Sequence, residues 1–233
     1  MPGPARSTTF LLADLTGYTA LTEAHGDLRA AGVARDFCSA VRELSGVYGA
    51  EEVKTIGDAI LLHVPDAGQA VHLGARLVND VGGRHHALGI GVGMHTGTAV
   101  QEGGDWFGAG VNVAARVADL AGPDEILLTE QTRLAAGKAI ADGQLRERGE
   151  RSFKNVRHPV RVLELVPAGR LSGTRLPVDP VCRMAVEPEQ AGPSVLYRRT
   201  RFHFCSPECH RAFEDDPAAF GVRLRGRWWW RRT

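Results

Sequence analysis

The segment Thr8–Leu15 reads TTFLLADL, an apolar and β-favouring run that contains one carboxylate, Asp14, next to its end. A short apolar run of this composition predicts a buried β-strand. Gly17 follows, and the spacing of apolar residues from there to about Ser45 predicts a helical stretch. Asp14 is therefore expected where a buried strand ends and the chain turns towards a helix.

Beyond this segment, strand-like and helix-like patterns alternate along the chain. The patterns predict strands at Glu51–Ile56, Ala59–Val64, Leu88–Val100, Glu125–Leu128 and Val160–Val166, and helices at Ala67–Val81 and Gly108–Leu120. Gly57-Asp58 predicts a tight hairpin turn between the first two of these strands. This order predicts an α/β (α+β) domain in which helices pack on a mixed sheet.

The composition is that of a globular protein, with 43% hydrophobic and 24% charged residues in 233. Lys+Arg 28 against Asp+Glu 27 leaves a net charge of +1, so no basic field indicates a nucleic-acid partner. The apolar runs are too short for a transmembrane segment. The first residues lack the long apolar core of a signal peptide, so a cytoplasmic protein is expected.

Two carboxylates, Asp14 and Asp58, are candidate metal ligands. One is expected at a strand end and the other on a hairpin turn. Carboxylates presented in this way are typical ligands of Mg²⁺, which prefers oxygen and keeps waters and substrate phosphates. The alternative is structural, with Asp14 capping the following helix and Asp58 serving as a turn former.

A second candidate group lies in the stretch DWFGAGVNVAAR, which runs from Asp105 to Arg116. Asn112 and Arg116 are four residues apart on a predicted helix and therefore share one face. An amide and a guanidinium on one face suit a phosphoryl group that gains negative charge. A solvated helix surface is the alternative, but the neighbouring Val and Ala residues predict that this face adjoins a buried boundary.

Five blocks of sequence, in this order, resemble the catalytic domain of class III adenylyl and guanylyl cyclases. They are FLLADLTGYTALTE from Phe10, KTIGDAILLHV from Lys54, GVGMHTG from Gly91, GDWFGAGVNVAARV from Gly104 and RGERSFKNV from Arg148. The resemblance covers residues 8–166 and implies a ferredoxin-like mixed sheet with helices packed on it. It also implies an adenylate cyclase, a phosphorus–oxygen lyase.

The resemblance implies a role for each matching residue. Asp14 and Asp58 look like the carboxylates that hold two Mg²⁺ or Mn²⁺ ions per active site, and Lys54 and Asp105 look like the pair that reads the purine. Asn112 and Arg116 look like the ribose-positioning and transition-state residues. Lys154 looks like the triphosphate-binding lysine, although Asn155 stands where the family commonly has glycine. Because the family builds each site from two subunits, a homodimer with ATP as substrate is implied.

The choice of purine follows from donors and acceptors. Adenine offers an acceptor at N1 and a donor at its amino group. A lysine only donates and an aspartate only accepts, so Lys54 and Asp105 fit ATP. Guanine presents the reverse order and would leave both charges mismatched. A guanylyl cyclase and a catalytically silent cyclase-fold scaffold for nucleotide binding or dimerisation remain the alternatives.

The end of the chain carries a separate cluster of cysteines. Residues 167–178 have the Pro-, Gly- and Ser-rich composition of a linker, and Cys182, Cys205 and Cys209 follow within residues 179–220. A module this small usually needs a metal or disulfides to fold. Cys205 and Cys209, at helical-turn spacing, are expected to face one ion, and three thiolates suit Zn²⁺ or another soft metal.

The segments DPVCRMAV from Asp179 and HFCSPECHRAFEDDPAAF from His203 resemble the YHS domain, a small treble-clef-like metal-binding module. The fourth ligand stays open among His210, His203, Asp179 and water. Arg183 stands where the family usually has glycine, and its charge is expected to weaken cation binding. Three roles stay open: a structural zinc that holds the small core together, a metal- or redox-sensing module coupled to the cyclase, and a vestigial or protein-binding module.

Two further features have mainly structural interpretations. Cys38 lies on an apolar helical face and is expected to be a buried core residue. The tail of residues 221–233 places five arginines around Trp228, Trp229 and Trp230. Its composition suits a disordered end, with contact to an anionic membrane surface or to nucleic acid as the weaker alternatives.

Overall fold

A mixed sheet forms the frame of the molecule in the computed structural model, which describes residues 6–82, 87–168, 176–189 and 192–220. Within these residues the strands are β1 (Arg6–Thr16), β2 (Glu51–Ile56), β3 (Ala59–Val64), β4 (Gly89–Glu102), β5 (Asp105–Phe107), β6 (Glu125–Thr129), β7 (Gly143–Arg151), β8 (Val160–Pro167), β9 (Ser194–Tyr197) and β10 (Thr200–His203). The main sheet has the order β2-β3-β1-β4-β6-β8-β7, with β5 paired to β4, and β9 and β10 form a separate hairpin.

The helices connect these strands and cover the sheet. They are α1 (Tyr18–His25), α2 (Asp27–Val47), α3 (Ala67–Arg76), α4 (Ala109–Ala118), α5 (Glu130–Ala136) and α6 (Pro207–Asp215). A π-helical turn, Leu77–Val81, extends α3, and a 3₁₀ turn, Gly137–Asp142, follows α5. The sequence prediction of helices packed on a mixed sheet is confirmed.

Strand β1 lies between β3 and β4 and pairs with both in antiparallel register. In this register Asp14 is opposite Ala59 on one side and Gly91 on the other. The β2–β3 turn, which carries Asp58, therefore lies beside the end of β1. The parallel pairing of β4 with β6 makes the sheet mixed.

Both faces of β1 are covered along Phe10–Ala13, which explains why this part of the strand is apolar without a break. Leu11, Ala13 and Leu15 pack in the main core, which also contains the buried residues of α2 and α3. Phe10 points to the other face and packs with Trp106 and with Ala114 of α4. Alternate residues of one strand thus hold helices on opposite faces of the sheet.

The predicted helix from Gly17 to Ser45 is wrong as one element, because Gly26 interrupts it. Gly26 has φ 79°, and the chain forms α1 before it and α2 after it. A glycine adopts this left-handed conformation at little cost, whereas the helical spacing of apolar residues continues across the break. Periodicity alone therefore could not locate it.

Strands β5 and β7 and helix α5 were not predicted. Strand β7 has the sequence GQLRERGER and lies at the edge of the sheet with most of its side chains exposed or half-buried. An edge strand of this kind has no apolar run or strict alternation to reveal it. Strand β5 has three residues, too few for a pattern.

Within the part of the chain that the structure describes, none of the helices combines the length and apolar character that crossing a bilayer requires. The tail of residues 221–233 lies outside the described residues.

Gly93 allows close contact between β4 and α4, and its replacement tests how tightly that helix is held. A Cβ atom at Gly93 would lie 2.1 Å from the backbone nitrogen of Ala118 at the end of α4. Because this neighbour is backbone, we expect Gly93→Ala to lower the free energy of unfolding in urea by about 1–3 kcal/mol. The control is Gly32→Ala, in the interior of α2, where the new Cβ would have only the end of the Arg35 side chain within 4 Å, at 3.8 Å. This change should stabilise the protein by about 0.5–1 kcal/mol. A Gly93→Ala protein as stable as the wild type would contradict the packing.

Because His95 is buried, we expect the protein to lose stability in acid. It lies in β4 with its Nδ1 2.9 Å from the Thr129 hydroxyl, and burial lowers its pKa from 6.5 to about 4. Between these values the unfolded chain binds a proton that the folded protein does not, so stability falls as pH decreases from about 6.5 to about 4. We expect up to about 3 kcal/mol from this residue in urea titrations. His95→Gln keeps a polar group but has no such titration, so its stability should depend less on pH. An unchanged pH slope would exclude His95 as the cause.

Candidate active site and cysteine cluster

The carboxylates of Asp14 and Asp58 lie near each other, at the end of β1 and on the β2–β3 turn. The Leu15 amide donates a hydrogen bond to the backbone oxygen of Asp58 at 3.4 Å. Burial, and next the charge of Asp58, raise the pKa of Asp14 to about 6, and burial raises the pKa of Asp58. Two half-buried carboxylates in this arrangement are costly to ionise together without a cation. The donor set therefore fits hard divalent ions such as Mg²⁺ or Mn²⁺.

Asp119 is a third acidic residue at this site, and sequence reasoning missed it. Its charge contributes to the raised pKa of Asp14. Its carboxylate also accepts a hydrogen bond from Nη1 of Arg116 at 3.3 Å. Its position three residues after Arg116 is the feature of the sequence that could have drawn attention to it. Its approach to β1 depends on the packing of α4 against the sheet.

Lys54 and Asp105 are in direct contact, as the proposed purine-reading pair would require. Lys54 lies on β2 and Asp105 on β5, and Nζ donates to Oδ2 at 2.6 Å. The amide of Trp106 donates to the other carboxylate oxygen at 2.7 Å. The Lys54 ammonium, with help from this amide, lowers the pKa of Asp105. Both side chains remain about one-third exposed, 39% and 34%, so the pair can be reached from solvent.

Asn112 and Arg116 lie on one face of α4, as predicted from their spacing, and this face is exposed in the protomer. The opposite face buries Val113, Ala114 and Val117 against the sheet. The side chain of Arg116 is 51% exposed and contacts Asp119. A single protomer thus leaves the amide and the guanidinium uncovered.

Lys154 lies on the loop between β7 and β8 and is exposed. Its neighbours Phe153 and Val156 pack against the cluster that contains Val113 and Val117 of α4. Asn155 adopts φ 66°, a left-handed conformation that glycine adopts most readily and asparagine tolerates better than most residues. The departure from glycine at this position is therefore compatible with the loop.

The three C-terminal cysteines converge, and their sulfurs are within van der Waals distance. Sγ of Cys205 lies 3.4 Å from Sγ of Cys182 and 3.7 Å from Sγ of Cys209, and all are free thiols. The neighbouring Cys182 thiol, followed by that of Cys209, lowers the pKa of Cys205. Cys205 precedes α6 rather than lying on it, so the predicted helical turn is replaced by a cap at Ser206. Cys38 is buried in the main core, as expected.

Among the described residues, the fourth member of this cluster is His25 of α1. Its imidazole joins Cys182, Cys205 and Cys209 in a group whose ligand atoms all lie within 4.8 Å of one another. None of the three candidate side chains expected from the sequence belongs to that group: Asp179, His203 and His210. Sequence reasoning missed His25 because it precedes Cys182 by more than 150 positions in the chain.

Asp179 instead organises the backbone around the cysteines. It is fully buried, and its two carboxylate oxygens accept hydrogen bonds from the amides of Val181 and Cys205, both at 2.8 Å. His210 lies near Glu214 in α6, with Nδ1 3.6 Å from the carboxylate. The carboxylate of Asp179 therefore has a structural role as an acceptor of backbone amides and does not belong to the cluster of ligand atoms.

These sites can be compared with those of known families. The model of the adenylate and guanylate cyclase catalytic domain matches residues 2–162. The chain belongs to this family. The YHS domain model matches residues 178–222, which confirms the second resemblance. The boundaries of the linker and of the C-terminal module stay predictions.

Individual relatives of this cyclase-family protein differ in length and in substrate. The pH-sensitive adenylate cyclase of Mycobacterium tuberculosis is 36% identical over 174 residues, covering 71% of this chain but 42% of that protein. An adenylate cyclase structure from Trypanosoma brucei, in its monomeric state, has a TM-score of 0.64 at 20% identity and covers 75% of this chain and 95% of that one. The guanylate cyclase domain from Catenaria anguillulae, in complex with GTP, has a TM-score of 0.61 at 17% identity, covering 71% and 99%. The fold is therefore common to cyclases named for either purine.

Proposed function

We propose that this protein is an adenylyl cyclase, which converts ATP to 3′,5′-cyclic AMP and pyrophosphate. The observation that carries the proposal is that one chain has both a close carboxylate pair and an uncovered phosphate-binding face. The charge of Asp58 contributes to the raised pKa of Asp14, while the side chain of Arg116 is 51% exposed. Two copies arranged head to tail would complete two equivalent sites.

The reaction is an internal displacement at phosphorus. The ribose 3′-oxygen loses its proton to solvent and bonds to the α-phosphorus, and the bond from that phosphorus to the β-phosphate oxygen breaks. Pyrophosphate leaves with the electron pair of that bond. Two divalent cations, held by Asp14 and Asp58, would supply Lewis-acid stabilisation of the attacking and leaving oxygens.

The basic residues of the other protomer would bind the rest of the nucleotide. Arg116 would donate hydrogen bonds to phosphoryl oxygens as their charge grows, and Asn112, on the same helical face, would orient the ribose. Lys154 would bind the triphosphate. Because Phe153 and Val156 anchor its loop near α4, these three side chains belong to one packed unit.

Lys54 and Asp105 would select adenine. The ammonium donates to N1, and the carboxylate accepts from the exocyclic amino group. In the free protein the two side chains satisfy each other at 2.6 Å. Contact with adenine would exchange this exposed ion pair, which contributes little by itself, for two directional hydrogen bonds to the base.

Exposed apolar side chains beside this pair support a homodimer. Ile56 follows Lys54 on β2 and is 57% exposed, and Phe107 follows Asp105 on β5 and is 54% exposed. Large apolar side chains next to a polar site are typical of surfaces that another chain covers. A second copy is the proposed partner because the uncovered Arg116 and the carboxylate pair complement each other.

The direct test is to incubate the purified chain with ATP or with GTP and Mn²⁺, and to measure cyclic product. Cyclic AMP from ATP supports the proposal. Predominant cyclic GMP would support a guanylyl cyclase, and no product from either nucleotide would support a non-catalytic scaffold.

Complementation between two inactive variants tests whether the site is shared. Asp14→Ala and Arg116→Ala should each be inactive alone. When the two variants are co-expressed in equal amounts, half of the dimers are heterodimers. Each heterodimer has one intact site out of two, so about one quarter of wild-type activity should return. The matched control mixes Asp14→Ala with Asp58→Ala. Both changes affect the metal-binding half of the site, so this mixture should show no recovery of activity. Activity as low in the first mixture as in the control would refute a shared site.

Exchanging the charges of the purine pair tests the substrate assignment. The double variant Lys54→Glu/Asp105→Lys presents an acceptor to N1 and a donor to O6, the order that guanine requires. We expect the ratio of kcat/KM for GTP to that for ATP to rise by at least about 10²-fold. Each single variant is the control and should lose ATP turnover without gaining GTP turnover. An unchanged preference in a folded double variant would show that this pair does not read the base.

A further inference from the structure

The cysteine cluster contacts the cyclase part of the chain through a histidine. Nε2 of His25 lies 3.3 Å from Sγ of Cys205 and 3.5 Å from Sγ of Cys209. His25 is the last residue of α1, whereas Cys209 lies in the first turn of α6. Side chains from opposite ends of the sequence therefore direct one nitrogen and three sulfurs to a common point.

The spacing of these atoms fits a tetrahedral metal ion. Zinc bonds of about 2.3 Å to sulfur and about 2.0–2.1 Å to nitrogen place two sulfurs about 3.8 Å apart, and a sulfur and a nitrogen about 3.5 Å apart. In the cluster, Sγ of Cys205 lies 3.4 and 3.7 Å from the other two sulfurs, and Nε2 of His25 lies 3.3 and 3.5 Å from two sulfurs. A disulfide would require about 2.05 Å between two sulfurs.

The surroundings of the cluster hold these groups in place. Cys182 and Cys209 are buried, with 0% and 2% of their surface exposed. The buried carboxylate of Asp179 accepts the amides of Val181 and Cys205, and so ties the two cysteine-bearing loops together. Such outer contacts are typical of sites in which the ligands must keep one geometry.

We propose that Cys182, Cys205, Cys209 and His25 bind one zinc ion, which fastens the C-terminal segment to the helix that follows β1. Three thiolates and a neutral imidazole are a known ligand set for structural zinc, and they leave no open coordination position. The borderline nitrogen ligand and four-fold coordination favour Zn²⁺ over Cu⁺. With three thiolates, the zinc-bound site has a net charge of −1, so the adjacent Arg183 need not oppose binding.

Other contacts join the same two parts of the chain. A Cβ atom at Gly17, in the turn between β1 and α1, would lie 2.6 Å from Cβ of Arg183. The amide of Ala185 donates to the backbone oxygen of Ala87 at 2.8 Å, just before β4. The zinc site would thus add a strong link to an interface that already adjoins the strand end bearing Asp14.

Metal analysis of matched histidine variants tests the ligand set. We expect wild-type protein reloaded with Zn²⁺ to hold one ion per chain. His25→Ala should weaken Zn²⁺ binding, measured by chelator competition, by at least about 10-fold. His210→Ala is the control, because His210 neighbours Cys209 but lies outside the cluster. His25→Cys should restore tight binding by supplying a fourth thiolate. Equal affinity in the wild type and His25→Ala would overturn the proposal.

Cobalt substitution tests the geometry without using activity. The wild type loaded with Co²⁺ should show intense visible absorption bands of a tetrahedral site and thiolate charge-transfer bands in the near ultraviolet. The visible bands should change in His25→Ala and not in His210→Ala. A wild-type spectrum typical of six-coordinate Co²⁺, or a Cys182–Cys205 disulfide in place of bound metal, would contradict the proposal.

Hydrogen exchange tests the link between the two parts of the chain. Removing zinc should increase amide exchange both in α6 and in α1, because α1 supplies a ligand. With zinc present, the His25→Ala variant should show faster amide exchange in α1 but not in α6. Unchanged exchange in α1 on zinc removal would refute the link. These measurements do not depend on cyclase activity, so failure of the proposed function leaves them decisive.

Discussion

The position of β1 between β3 and β4, with both of its faces buried, is the constraint on which the site depends. Leu11 and Leu15 pack on one side of the sheet and Phe10 on the other, so the strand cannot shift by one residue without exposing its apolar side chains. This register puts Asp14 at the strand end and the turn bearing Asp58 beside it. The catalytic proposal uses a carboxylate pair that the hydrophobic core holds in place.

The charges of one protomer are the reason why the proposed site needs a second copy. The carboxylates of Asp14 and Asp58 are partly desolvated, and Asp119 adds a third negative charge nearby. Arg116 remains exposed on α4, where its guanidinium contacts Asp119. Among the described residues, one chain therefore carries both the acidic group and the arginine of the proposed site. A divalent cation and the triphosphate, with a second copy, would balance these charges.

The C-terminal segment is connected to the same region. Its cysteines meet His25, the residue that ends α1, and its backbone contacts the residues that precede β4. Val181, Cys182, Met184 and Phe204 are buried in a cluster continuous with the main core. The segment is therefore packed against the cyclase fold, and a metal bound there would stabilise contacts between elements far apart in sequence.

Much of the fold and most of the candidate site could be predicted from local sequence patterns. Apolar runs and turn residues are local signals, and they identified β1, the β2–β3 hairpin and the shared face of Asn112 and Arg116. Ordered motif blocks identified the family. Each of these features depends on residues that are close together along the chain, where spacing converts directly into direction on a strand or helix.

Four features could be found only from the folded chain: the break at Gly26, the edge strand β7, the approach of Asp119 to Asp14, and the position of His25 rather than His210 in the cysteine cluster. The physical reason is that these features depend on packing between distant segments. A glycine can continue or break a helix, an edge strand needs no apolar pattern, and a ligand far away in sequence leaves no spacing to read. In the folded chain, His25 meets the cysteines because β1, α1 and α6 pack in one hydrophobic core.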